Sequence, residues 1–133
     1  MISLADNLYT LNDANRLLTD EFPEMKRLYD EESDYYSDLE YLFYEDVFVP
    51  YVVKSLGENN DNELKKIFGF VENLLKNGDG ELINMVGVAV VESLCNDDDF
   101  GSHKDTIFNI AGTLTIDSFT ESLEYNPEDG CVK

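Results

Sequence analysis

Apolar and polar positions alternate along most of the chain with the 3.6-residue period of a helix. Ala14, Leu17, Leu18 and Phe22 fall on one face and predict a first helix over residues 13–22, with Asn12 as its N-cap. Pro23 ends that helix and is suited to the first turn of a second, in which Met25, Leu28 and Tyr29 form a short stripe. Residues 30–38 are too polar to assign and read as a loop or a solvated helix end. The pattern resumes at Leu39, Leu42, Phe43 and Val47, then Val49, Val52, Val53 and Leu56. Pro50 lies inside this run, where it must kink the helix or begin a new one, because it lacks an N–H and clashes with the preceding turn. Gly57 reads as the stop.

The next helix is the best marked. Asn60 or Asp61 caps it, and Leu64, Ile67, Phe68, Val71, Leu74 and Leu75 share one face as far as Lys76. Gly78 ends it and Asp79 caps a further helix over residues 81–94, with Leu82, Ile83, Val86, Val90, Val91 and Leu94 as its stripe. The centre of that helix, residues 85–91, is apolar almost all round and is expected to be the most buried element. Its valines also suit a strand, but the length and the caps favour a helix. Asn77-Gly78-Asp79-Gly80 then joins an antiparallel helical hairpin. Residues 96–101 read as a loop. A helix over 104–111 carries Ile107, Phe108, Ile110 and Ala111, and Thr115 is the expected cap of a last helix over 116–125 with Ile116, Phe119 and Leu123 inward.

These elements give an all-α fold, about six helices in one bundle. A chain of 133 residues is most simply a single domain, here 1–133 with 1–11 and 127–133 frayed, and buries roughly 65–70% of its unfolded surface. An apolar fraction of 43% is ordinary for a globular domain. Residues 1–6 have neither the basic region nor the apolar run of a signal peptide, no segment is apolar enough to span a bilayer, and Cys95 and Cys131 form no metal or redox motif. The expectation is a cytoplasmic protein with reduced thiols, Cys95 serving as a small core residue.

Charge changes the picture. Twenty-nine acids against nine lysines and arginines leave a net −20, which repels nucleic acid and anionic membranes. The acids are also unevenly placed. From Tyr29 to Tyr51 the chain holds Asp30, Glu31, Glu32, Asp34, Asp38, Glu40, Glu45 and Asp46 beside Tyr29, Tyr35, Tyr36, Tyr41, Tyr44 and Tyr51, with no lysine or arginine. Solubility explains scattered acids better than such a block. A basic protein partner satisfies both residue types, since its cations meet the carboxylates and phenol rings supply rigid contact area. The expected partner-binding set is therefore Asp30, Glu31, Glu32, Asp34, Tyr35, Tyr36, Asp38, Glu40, Tyr41, Tyr44, Glu45 and Asp46. An amphipathic alternative applies to the helical part, where Tyr41 and Tyr44 would share a face with Phe48 and Tyr51; it applies less to Tyr35 and Tyr36, which no apolar periodicity requires.

Catalytic chemistry finds little footing. Acids are so abundant that no pair stands apart in an apolar setting that would split two pKa values. Asp97-Asp98-Asp99-Phe100-Gly101 suggests a calcium loop, but Phe100 falls where an oxygen ligand belongs and Ile107 where the bidentate glutamate belongs. His103 is the single histidine, too few for a usual zinc site, and fits a surface or capping position at a helix start. No phosphate-binding glycine loop occurs. The sequence calls for no cofactor and no metal, and a binding protein is expected rather than an enzyme.

Three segments carry a resemblance: Phe22-Pro23-Glu24-Met25, Glu45-Asp46-Val47-Phe48-Val49-Pro50-Tyr51, and Phe70-Val71-Glu72-Asn73-Leu74-Leu75-Lys76-Asn77-Gly78-Asp79. Together they look like a group of small acidic all-helical bacterial proteins of uncharacterised function, and the pair of helices over 64–94 resembles a HEAT-type unit. Proteins of this appearance resemble immunity proteins of polymorphic or contact-dependent toxin systems. The resemblance implies an immunity or antitoxin protein that binds and blocks a basic bacterial toxin, a nuclease being one candidate. It transfers no functional residue. The competing expectation is a nucleic-acid mimic or adaptor that occupies a basic DNA-binding protein.

Overall fold

Seven helices, no strands and a single isolated bridge make up the described residues of the computed structural model, which cover 8–31 and 39–125, without the side chains of Leu28, Tyr29, Glu31 and Tyr125. The helices are α1 (Ala14–Glu21), α2 (Pro23–Glu31), α3 (Glu40–Phe43, Tyr44–Phe48 and Val49–Gly57 in continuous succession), α4 (Asp61–Asn77), α5 (Gly80–Met85, Val86–Glu92 and Ser93–Cys95, likewise continuous), α6 (Phe100–Ile110) and α7 (Thr113–Tyr125). They pack as one all-α bundle around a single buried cluster that draws on every helix. No helix among the described residues is long and apolar enough to cross a membrane.

The chain start is anchored. Tyr9 bridges to the α4–α5 turn, its N–H donating to the Asn77 carbonyl and its carbonyl accepting from the Asp79 N–H, each at 2.8 Å. A 3₁₀ turn, Leu11–Asp13, then leads into α1. Its cap is Thr10, not Asn12: the Asp13 carboxylate accepts from the Thr10 N–H at 2.8 Å and from its hydroxyl at 3.2 Å. Tyr9 and Thr10 are thus hydrogen-bonded; of the segments expected to fray, residues 1–7 and 127–133 lie outside the described set. Pro23 opens α2 as its fixed φ and missing donor favour.

Both long helices with a proline or valine-rich centre contain a π-turn. In α3 the Val49 N–H bonds the Tyr44 carbonyl, five residues back, which widens the turn just before Pro50 and leaves room for a ring that an α-turn would crowd. The extra residue also shifts the buried face. Phe43, Tyr44, Phe48, Val49, Val52 and Leu56 are buried, while Leu39, expected in the core, is 43% exposed and Leu42 and Val47 are half-buried. The same slip in α5 aligns Met85 and Val86 with Val90 and Val91 and leaves Ile83, also expected inside, 41% exposed. The two widened segments pack against each other.

Helix ends follow local chemistry. α3 runs through Gly57 and ends at Asn59, whose φ of 52° is the left-handed conformation of a C′ residue. Asn59 N–H bonds the Leu56 carbonyl and Asn60 N–H the Ser55 carbonyl, the paired bonds of a Schellman end. Asn60 and Asp79 cap α4 and α5 as expected, accepting from the N–H groups of Glu63 at 3.3 Å and Leu82 at 3.0 Å. α6 starts at Phe100, earlier than its polar start suggests, because Phe100 is a core residue stacked on Phe119 at 6.0 Å between centroids. A second aromatic group joins Phe22, Phe48 and Phe70, with ring centroids 5.6–5.8 Å apart.

Candidate functional site

The acidic, tyrosine-rich stretch divides into three parts. Glu32, Asp34, Tyr35, Tyr36 and Asp38 lie outside the described residues, as does the side chain of Glu31, whose backbone ends α2. Asp30 is exposed on α2, where the Lys26 ammonium sits 3.0 Å from its carboxylate. Asp30 and Glu40 line one small cleft, about 270 Å³, that also holds Arg16, Lys26 and Asp20. Bases are therefore interleaved with acids at this end of the stretch, which the run of sequence from 29 to 51 does not reveal.

The tyrosines of α3 separate sharply. Tyr44 does not belong to any surface: it is fully buried, packs edge-on against Phe48 at 5.7 Å and donates its hydroxyl to the Ala14 carbonyl at 2.5 Å. Burial, reinforced by the nearby Glu40 charge, holds its phenol pKa well above the usual value. The π-turn explains the correction, since it places Tyr44 on the core side with Phe48 and Val49. Tyr51 is half-buried against Phe22 and donates to the Glu63 carboxylate of α4; its pKa is pushed up by burial first and then by that carboxylate. Tyr41 is half-buried, with its hydroxyl accepting from Asn84 Nδ2 at 2.9 Å. Glu45 is half-buried and Asp46 exposed.

Asn84 leads from α3 to a feature the hydrophobic pattern did not single out. It lies on α5 in the wall of a groove of about 450 Å³ between α5 and α7. Ile83, Val88 and Leu114, at 41%, 37% and 39% exposure, line this groove and are three of the four exposed large hydrophobics among the described residues. Its charged lining residues are Glu92, Asp117 and Glu121, and none is basic. α5 and α7 carry no lysine or arginine at all. The signal was available in the sequence: a helix apolar beyond one stripe either buries its whole circumference or shows part of it.

α7 is held in place by a carboxylate from another helix. Glu72 of α4 accepts from the Thr115 N–H at 2.9 Å, the Thr115 hydroxyl at 2.9 Å and the Leu114 N–H at 3.2 Å. Thr115 is fully buried inside α7 and does not act as the N-cap. Burial alone would raise the Glu72 pKa, but the N–H groups of Thr115 and Leu114, the Thr115 hydroxyl and the Lys76 charge together bring it below the ordinary value. A carboxylate fits this place because the first N–H groups of a helix lack internal acceptors. Gly112 makes the approach possible, since a Cβ there would meet Glu72 Cδ and Oε1 at 2.6 Å.

Among the described residues no three His, Cys, Asp or Glu side chains are grouped to hold an ion. In the acidic loop Asp97 turns its carboxylate onto the Asp99 N–H at 3.0 Å. Cys95 is buried in the core, and Cys131 lies outside the described residues.

A family model described as Domain of unknown function (DUF7674) matches residues 15–115, from α1 to the turn of α7 that Glu72 caps. The chain belongs to this family. The DUF7674 match takes in the α4–α5 hairpin, the Glu72 clamp and the groove residues Ile83, Val88 and Leu114. No curated protein and no solved structure matches the chain.

Proposed function

We propose that this DUF7674 protein is a stoichiometric binding protein of the immunity type, which captures and blocks a basic bacterial toxin domain such as a nuclease in the cytoplasm. The observation that carries this reading is the distribution of charge. A net −20 is joined to a helical body whose α5 and α7 carry acids and no base, and to the acid-and-tyrosine run at 29–51. Opposite charge steers a cationic partner to such a surface and raises the association rate. The mechanism is occlusion: carboxylates pair with the lysines and arginines that a nuclease uses on its anionic substrate. Tyr41, Glu40, Glu45 and Asp46 contribute from α3, with Glu31, Glu32, Asp34, Tyr35, Tyr36 and Asp38 beside them in sequence. Tyr44 contributes by holding α3 onto α1. The α4–α5 hairpin supports reading the core as a single HEAT-type unit.

Growth protection tests the reading. The adjacent reading frame is expected to encode a basic toxin domain, and the protein is co-expressed with it as wild type and with Glu31, Glu32, Asp34 and Asp38 changed to lysine. The wild type is expected to protect and the variant to lose protection. A variant that protects as well as wild type rejects this surface.

A further inference from the structure

We infer that the groove between α5 and α7 is the docking site for an amphipathic helix with basic flanks, presented by a partner protein. This deepens the reading of a cationic partner and rests on it. Three observations select the occupant. Ile83, Val88 and Leu114 line the groove and stay open to solvent, so apolar side chains of a partner would cover them at a gain in free energy. The volume, about 450 Å³, has room for a few aliphatic side chains but not for a folded domain, which fits the anchors of one helix face at i, i+3 or i+4, and i+7. The charged members of the lining, Glu92, Asp117 and Glu121, are all acids, so cations on either side of the apolar anchors meet opposite charge.

The same charges count against the two occupants nearest at hand. A second copy brings its own net −20 to an acidic rim, and close approach of two such bodies is repulsive. The segment that follows α7, residues 126–133, offers Glu128 and Asp129 against Lys133 alone. Asn84 adds a junction to the proposed α3 surface: its amide donates to Tyr41 at 2.9 Å, so one partner spanning both would meet carboxylates and an aromatic ring at one edge and apolar anchors at the other.

A labelled leucine–lysine peptide, about four helical turns long with its leucines on one face, tests the inference by fluorescence anisotropy against a scrambled peptide of equal composition. Both peptides carry the same charge, so only the alignment of the leucines differs. The amphipathic peptide is expected to bind at least about tenfold tighter. Ile83→Gln, Val88→Gln and Leu114→Gln together are expected to remove that difference while circular dichroism stays unchanged, since glutamine is a good helix former at exposed sites. Equal binding of the two peptides overturns the inference, as does a triple variant that keeps the preference. Dimerisation of the wild type that the triple variant abolishes, or a tenfold gain in peptide affinity on deleting residues 126–133, assigns the groove to another occupant and also overturns it. Retained toxin protection in the lysine variant of Glu31, Glu32, Asp34 and Asp38 rejects the charge reading alone, so the two failures are separable.

Discussion

At the scale of single residues, the Glu72–Gly112 pair shows how much of α7 depends on one carboxylate. Accepting two N–H bonds and one hydroxyl bond, it is an N-cap supplied from α4. Replacing Glu72 by alanine is expected to lower unfolding free energy by about 1 kcal/mol, the usual value of a cap, in urea titrations. Gly112→Ala is expected to cost a similar amount by displacing the carboxylate, since its Cβ would stand 2.6 Å from Glu72 Oε1. In a Glu72→Ala background the same Gly112→Ala change is expected to be nearly neutral, because nothing remains to displace. The pH dependence has a definite sign. The folded pKa of Glu72 lies below its ordinary 4.5, so its contribution is present above that pH and is lost as pH falls through the folded value. The stability gap between wild type and Glu72→Gln is expected to be full at neutral pH and to close in acid. Tyr44→Phe tests the reassignment of that ring. Removing its hydroxyl leaves the Ala14 carbonyl without this donor, with an expected cost of about 1–2 kcal/mol and no change in affinity for a cationic partner. A partner-binding role for Tyr44 would reverse both results.

At the scale of elements, the α4–α5 turn is the most constrained junction. A Cβ on Gly78 would meet the Leu74 carbonyl oxygen at 2.5 Å and Leu82 Cδ2 at 2.9 Å. The carbonyl belongs to helix backbone and cannot move aside, so Gly78→Ala is expected to destabilise by about 1–3 kcal/mol and to loosen the Tyr9 bridge, as amide exchange at Tyr9 and Asp79 would report. Gly80, two residues on, has nothing within 4 Å of a built Cβ, and Gly80→Ala is expected to be neutral or stabilising by a few tenths of a kcal/mol. Elements with strong caps and a regular period were legible in the sequence: α4, the α5 cap at Asp79, the Pro23 junction and the all-α class. What escaped is traceable to physics that spacing alone does not carry. The π-turns in α3 and α5 shift the buried face by one residue, exposing Leu39 and Ile83 and burying Tyr44. The Thr10 cap and the Glu72 clamp join groups from different parts of the fold, or use a polar run that resembles loop. The groove was hidden because Val88 and Ile83 look like core in a helix that is apolar nearly all round.

At the scale of the whole molecule, the acid excess both costs stability and attracts. Like charges on one small body repel, and salt shortens the reach of that repulsion. Raising sodium chloride from about 0.1 M to about 1 M, which cuts the Debye length from about 10 Å to about 3 Å, is expected to raise the melting temperature by on the order of 5 °C. The same salt should oppose association with a cation, so stability and binding are expected to move in opposite directions. The most direct measurement is the association rate with the basic toxin domain proposed as partner, followed by stopped flow across that salt range. The account expects a fast rate at low salt that falls steeply as salt rises, with the charge-reversed variant slow throughout. A complex that forms at the same rate at both salts, or that the charge-reversed variant forms as fast as wild type, would contradict it.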